Sequence, residues 1–498
     1  MYWANFLHIY QPHGQQPDIL EMVVTQSYRP LVQNLLSHDG AKITLNVNGS
    51  LLELFDKYNY HDLIEGLAEA GRQGKVEFTG SAKYHALLPF LSRPEMLRQI
   101  AINHETNRHY LGGAYNPEGI FLPEMAYSSQ VAPVLEEAGF KWVILDEIAY
   151  NGKVDAVDYS KLYQIEGTKL HAFFRQRRMS NLIMSAVVRD RHQLEKAMTE
   201  DMKSPNYIIT AMDGETFGHH RPGLENLLFE IFDAPELHLV KMSELLTHYR
   251  ETETVAPIGS TWASSEQDIA EGIQFISWND PANPIHKLQW QLRDLTLAEF
   301  YKLPESDPEW PRLRALLDSA LASDQFFWAS AKPWWSIEMI EEGAVRLLEI
   351  LQHLPGIAPA QFEQGQLYYH QILAKAFAWK REGTLLQIER ERDSILRIPF
   401  KERTLEAGGS EPAVYHAFID LMKREEKAAA KRQDYEAAVL WRDAVYKIEH
   451  KVDIYEAVHA VDLLRTKLPN DDIEAIIKRY KADYLRIRGG QPEQRGAQ

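Results

Sequence analysis

Cysteine is absent from all 498 residues. That one absence removes disulfides, thiolate metal sites and cysteine nucleophiles together, and it suits a reducing compartment. Long apolar runs are missing as well, since no stretch approaches the ~18–20 residues needed to cross a bilayer. The opening Met-Tyr-Trp-Ala-Asn-Phe-Leu-His-Ile-Tyr carries no basic segment and no small-residue cleavage site, so no signal peptide is expected. The expectation is a soluble, cytoplasmic protein. Basic charge is in deficit: 54 Lys+Arg stand against 71 Asp+Glu, a formal charge of −17 that would repel nucleic acid and anionic membrane. Phosphate loops are absent, with no Gly-x-x-x-x-Gly-Lys-[Ser/Thr] and no Gly-x-Gly-x-x-Gly, and so is a Gly-x-Ser-x-Gly nucleophile elbow. Among 19 histidines there is no His-x-x-x-His pair and no His-Glu-x-x-His motif, which weakens any zinc reading.

What is present is ordinary globular material, 45% apolar and 25% charged, enough for about two to four domains. Aromatics make up 11% of the chain. Most must be core, though rings beside carboxylates also hold sugars by stacking on their C–H faces. Up to about residue 250, short apolar runs alternate with helical patterns, the βα rhythm of a parallel sheet or barrel. Strands are expected at 3–9, 42–47, 75–79, 119–122, 141–145, 170–174, 207–212 and 238–241, with helices such as 94–108 and 129–138 between them. These runs are apolar without clean alternation, as strands buried on both faces should be. After Pro281-Ala282-Asn283-Pro284 long helical patterns take over, at 287–301, 311–322, 336–354 and 361–379. The stretch 404–412 reads as a linker, 413–450 as a charged helical hairpin, and 489–498 as a frayed tail. The expected domains are therefore a barrel over 1–270, a helical domain over 271–400 that closes the cleft, and a helical extension over 401–498.

Chemistry is expected where strands end in polar residues, because those ends share one rim of a barrel. Ala211-Met212-Asp213-Gly214-Glu215-Thr216-Phe217-Gly218-His219-His220 follows a strand directly and sets two carboxylates around a glycine. A solvated acidic loop would read the same way. Glu124 closes the apolar Gly119-Ile120-Phe121-Leu122-Pro123, either facing a cleft or paired with a surface cation. Two such rim acids suit glycosidic cleavage, one attacking the anomeric carbon and the other protonating the leaving oxygen. His8, Tyr10 and Gln11 end the first strand with groups that grip hydroxyls, unless they serve only as structural hydrogen-bonders. Glu77 lies within a short strand, and Ser323-Asp324-Gln325 adjoins an aromatic stripe that reaches Trp328. His219-His220 with Asp213 and Glu215 invites a metal-dependent deacetylase as the alternative. Adjacent histidines on extended chain point opposite ways, however, and cannot easily share one ion. A non-catalytic glycan-binding protein is the third reading.

Taken in order, His-Ile-Tyr-Gln-Pro (8–12), Gly-Lys-Val-Glu (74–77), Phe-Leu-Pro-Glu (121–124), Met-Asp-Gly-Glu-Thr-Phe-Gly (212–218) and Ser-Asp-Gln-Phe-Phe-Trp (323–328) resemble the five signature regions of glycoside hydrolase family 57. The resemblance implies an α/β fold, an incomplete (β/α)7 barrel followed by a helical domain, and a retaining mechanism on α-glycosidic bonds of starch-like α-glucans, by hydrolysis or transglycosylation. It implies Glu124 as nucleophile and Asp213 as acid/base, with His8, Tyr10, Gln11, Glu77, Glu215, Asp324 and Trp328 binding substrate and no metal or cofactor. Two positions depart from the family pattern. Tyr10 stands where a second His is usual, and Phe121 where Trp is usual, so the sugar specificity is affected more than the chemistry. The first motif is unlike that of the branching enzymes. Residues 425–444 resemble the helical-hairpin motif of bacterial excision-repair endonuclease subunits, a protein-contact element. A partner contact through 415–450 is one expectation, and a solvated helix pair packed on the catalytic body is the other.

Overall fold

A computed structural model describes residues 1–388 apart from 187 and 333, the helices over 412–450, and 462–464, 466–468 and 473. The proposed linker 404–412, except its last residue, and the tail 489–498 lie outside the described residues.

The first strand, β1 (Tyr2–Ile9), is buried along all but its first residue. It pairs in parallel with β2 (Ile43–Val47), and β2 pairs in parallel with β3 (Val76–Phe78). Further along come β4 (Gly119–Phe121), β5 (Trp142–Asp146), β6 (Leu162–Ile165), β7 (His171–Arg175), β8 (Tyr207–Asp213), β9 (Leu239–Val240) and β10 (Thr252–Val255). Two sheets result, one ordered β3-β2-β1-β8 with β9 also on β1, the other β10-β6-β7-β5-β4. Gly80 joins them. Its N–H donates to the Gly119 carbonyl and its own carbonyl accepts from the Phe121 N–H, both at 2.9 Å. A Cβ at Gly80 would lie 2.5 Å from the Phe140 ring, so only glycine fits this seam. On the far side the ring of seven strands β8-β1-β2-β3-β4-β5-β7 is closed without a ladder. The Gln176 N–H reaches the Ile209 carbonyl at 2.8 Å, and Arg175 Nε reaches the Ala211 carbonyl at 2.7 Å. This is the expected parallel α/β barrel, left incomplete between β7 and β8.

Strand parity decides what faces inward. Ala4 and Phe6 of β1 share one apolar cluster with Tyr207, Ile209 and Ala211 of β8. Trp3, Leu7 and Ile9 join Ile208 and Met212 in the other, beneath the surrounding helices. His8 and Asp213 carry the inner parity, and they are register partners at the strand ends. Sequence patterning misses β6 and β10. They lie outside the ring, β6 running antiparallel to β7, and three of the four β10 residues are not buried. The β6–β7 turn holds Gly167 at a φ of +75°, a hairpin signal within what otherwise reads as βα rhythm.

Helices Pro284–Phe300, Trp310–Ala320, Ile337–His353 and Pro359–Arg381 follow, close to the expected spans. The Asn283 side chain caps the first by accepting the Ile285 and His286 N–H groups, and Pro284 occupies its first turn. Ion pairs tie these helices to Arg93–Leu111 on the barrel: Arg314 grips Glu95 at 2.6 Å in the interior, and the half-buried Arg98 grips Asp318 at 2.6 Å. The hairpin helices Pro412–Lys431 and Tyr435–His450 pack on each other through Phe418, Met422, Trp441 and Val445. Asp462 sits buried between Arg189 (2.9 Å) and Arg221 (3.1 Å), pinning the C-terminal segment to the barrel beside the Asp213 loop. Among the described residues no helix is long and apolar enough to cross a membrane.

Candidate active site

Glu124 stands on a tight turn after β4. Pro123 opens it, the Met125 N–H returns to the Leu122 carbonyl at 2.7 Å, and Glu124 itself is left-handed, with φ 61°. A non-glycine residue there is strained and persists only when its surroundings hold it. Trp262 supplies that hold twice. Its backbone N–H donates to the Glu124 carbonyl at 3.1 Å, and its indole N–H donates to Oε2 at 2.8 Å. Trp262 is anchored in turn, because Arg177 donates to its carbonyl at 3.2 Å and the Arg175 guanidinium lies 6.0 Å from its ring centre. Both arginines bind the fully buried Asp146, at 2.9 and 2.5 Å.

Asp213 ends β8 on the inner face, beside His8. Burial pushes its carboxyl up to about 6, against the pull of the nearby Arg175 cation. Burial also pushes Glu124 up to about 8. The Asp213 charge adds to that rise, the Trp262 hydrogen bond opposes it, and Asp324 adds a smaller upward push. The Asp213 charge also raises Glu215, which burial and that charge push up to about 8, so Asp213 stands between two carboxyls whose ionisation its own charge disfavours. His8 donates from Nδ1 to Asn46 Oδ1 at 2.7 Å, and burial lowers it to about 4, so it is neutral near pH 7. Its ring stacks on Phe121 (4.4 Å) and His85 (5.2 Å), and His85 stacks on Tyr10 (4.2 Å). The Tyr10 hydroxyl donates to Asp324 Oδ2 at 2.8 Å, linking the barrel rim to the helical half.

Thus His8, Tyr10, Glu124, Asp213 and Asp324 come together. Glu215 and Gln11 stand behind them. Glu215 Oε1 accepts from the Tyr10 backbone N–H at 3.1 Å, from the Tyr28 hydroxyl and from Gln11 at 3.5 Å, so it buttresses the first motif. Trp328 packs on Phe327 and Trp334 within the aromatic stripe. Glu77 is not gathered with the others. Its carboxylate accepts from Thr44 Oγ1 and the Ser243 N–H at 3.1 Å each, and from the Ser243 hydroxyl. Glu77→Gln is accordingly expected to lower stability by about 1–3 kcal/mol, visible as a lower Cm in urea.

Four contributors escape a sequence reading: Trp262, His85, Tyr28 and the Asp146–Arg175–Arg177 cluster. Trp262 and His85 lie on loops with no local motif. Arg175 closing a strand with Asp146 was the one available clue, since two buried charges need each other. Among the described residues no three His, Asp or Glu side chains gather as a metal site. His219 is held by Gln26 at 2.7 Å, while the His220 N–H returns to the Glu215 carbonyl at 2.7 Å.

Comparison with known proteins places the chain in a family. The chain is similar to an alpha-amylase of Pyrococcus horikoshii, 24% identical over 322 residues, 60% of this chain and 48% of that one. It is similar to a 4-alpha-glucanotransferase of Thermococcus litoralis, 26% identical over 323 residues with the same coverage of both chains. It therefore spans about half the length of the curated relatives it matches. Among solved structures, the Thermococcus litoralis 4-alpha-glucanotransferase superposes with a TM-score of 0.56 at 18% identity, over 71% of this chain and 58% of that one. A branching enzyme from Thermococcus kodakaraensis gives 0.55 at 16%, over 76% and 96%. At such identities these structures speak for the fold. A sequence model of glycosyl hydrolase family 57 matches residues 3–257, so the chain belongs to glycosyl hydrolase family 57.

Proposed function

We propose that this protein cleaves or transfers α-glycosidic bonds of starch-like α-glucans with retention, using Glu124 as nucleophile and Asp213 as acid/base. A cytoplasmic location belongs to this reading and suits the cysteine-free chain. The observation that carries it is a pair of buried carboxyls on the inner rim, one presented by a strained turn and clamped by Trp262, the other at the end of β8. Glu124 attacks the anomeric carbon as Asp213 gives its proton to the departing sugar oxygen. Asp213, now a carboxylate, then takes a proton from water or an acceptor hydroxyl, which displaces Glu124.

This chemistry needs Glu124 ionised while Asp213 is protonated, and burial pushes both carboxyls up in the free site. Substrate sets the order. Positive charge growing at the anomeric carbon favours an anionic Glu124, and a glycosidic oxygen accepting from Asp213 favours its protonated form. Trp262→Phe removes the indole donor and is expected to cost about 10–100-fold in kcat with little change in KM, read from initial rates on a maltooligosaccharide.

The direct test is the product profile from maltoheptaose. Shorter products alone mean hydrolysis, and shorter together with longer products mean transfer. Binding without turnover would hand the site to the glycan-binding alternative.

A further inference from the structure

His85 has no place in the mechanism as drawn, yet its ring faces the nucleophile across 4.0 Å. It is buried, and its backbone is left-handed at φ 57°, a strained state for a non-glycine residue. Its ring packs against those of His8 and Tyr10, at 5.2 and 4.2 Å. Nδ1 lies 3.2 Å from Ser323 Oγ, and that is its one hydrogen-bond partner. Nε2 is buried and has no hydrogen-bond partner among the described residues, and it faces Glu124 Oε1 at 4.0 Å. An orphaned buried nitrogen is costly, and one aimed at a reacting carboxylate asks for a functional account.

We propose that His85, with the Ser323 hydroxyl on its Nδ1, is a positioning residue whose Nε2–H becomes the second hydrogen-bond donor to Glu124 when that carboxylate carries its charge. The inference rests on the glycosidase reading of Glu124. Burial and the neighbouring His8 hold the His85 ring far below its ordinary range, so it carries one proton. On Nε2 that proton faces the carboxylate, leaving Nδ1 to accept from the Ser323 hydroxyl. On Nδ1 it would leave a bare lone pair opposed to Oε1 once Glu124 is ionised. At 4.0 Å the contact is too long for a hydrogen bond, so it is an attraction held in reserve. It closes as Glu124 ionises. Trp262 then holds Oε2 while His85 meets Oε1, and the pair favours the anion at the moment when attack and departure require it. Because Ser323 and Asp324 are adjacent, one turn of the helical half sets both His85 and Tyr10. The groups that face Glu124 are His85, Trp262, Asp213 and Asp324, and those facing His85 are His8, Tyr10, Ser323 and Glu124.

Two readouts test this. The first needs no substrate: above pH 8, where Glu124 is ionised, long-range 1H–15N spectra of histidine-labelled protein should show His85 as the Nε2–H tautomer. The second is the pH dependence of kcat/KM on maltoheptaose. His85→Ala should move the acidic limb up by about one to two pH units. His85→Gln, whose amide N–H can reach the same carboxylate, should bring the limb back by at least half of that shift, and Ser323→Ala should move it up by less than His85→Ala does. An Nδ1–H tautomer in the wild type overturns the proposal. So does a His85→Ala or Ser323→Ala enzyme that slows with its limb unmoved, the mark of a merely structural role. If the wild type shows the Nε2–H tautomer but turns over no α-glucan, the glycosidase reading has failed and the tautomer result stands by itself.

Discussion

Glu124→Gln should abolish turnover of α-1,4-glucan, by about 10^4-fold or more in kcat, with binding retained. The amide keeps the shape of the side chain and can still accept from the Trp262 indole, but it cannot form a glycosyl ester. The same change should raise stability at high pH, and the sign follows from proton counting. The folded-state carboxyl titrates at about 8, above its ordinary carboxylate range. Between roughly pH 4.5 and 8 the unfolded chain therefore binds fewer protons at this position than the native one, and stability falls as pH rises through that window. Removing the group removes the penalty. The variant should melt a few degrees above the wild type at pH 8 and close to it at pH 4, as scanning calorimetry can check. A variant inactive and less stable at pH 8 would mean that Glu124 is structural.

The second large effect belongs to Asp213→Asn. Loss of the proton donor is expected to cost about 10^2–10^4-fold on maltooligosaccharides, where the leaving group is a poor one. The loss should shrink to a few-fold in the glycosylation step on an α-glucosyl fluoride, whose fluoride leaves without a donated proton. A second test follows from the coupling. Without the Asp213 charge beside it, Glu124 should titrate lower, so the acidic limb of kcat/KM on the fluoride substrate should move down. An equal loss on both substrates would place Asp213 outside the acid/base role.

The barrel was legible because its strands are buried on both faces and written as apolar runs. Leu170–Phe174 and Tyr207–Met212 are findable without any partner in view. Strands β6 and β10 were not, because they lie outside the ring and half-polar, where composition says little. The acids at the strand ends were visible for a physical reason: a carboxyl closing a hydrophobic run is expensive unless it works. Glu77 shows the limit of that logic. Thr44 and Ser243, distant in sequence, supply its hydrogen bonds, and nothing near Glu77 in the chain announces them. The same gap hid Trp262, which meets Glu124 across 138 positions. Its indole earns meaning only once the segment after β10 lies along the Glu124 turn, with the Tyr127 and Ser260 N–H groups each donating to the other's carbonyl.

Trapping the covalent intermediate tests the central claim most directly. Asp213→Asn, incubated with a 5-fluoro-α-glucosyl fluoride and digested, should yield one peptide heavier by a fluoroglucosyl group, with the label on Glu124. Protein carrying Glu124→Gln as well should yield none. A label on any other side chain would contradict the account, as would an α-glucan turnover that proceeds with inversion and leaves Glu124 unmodified.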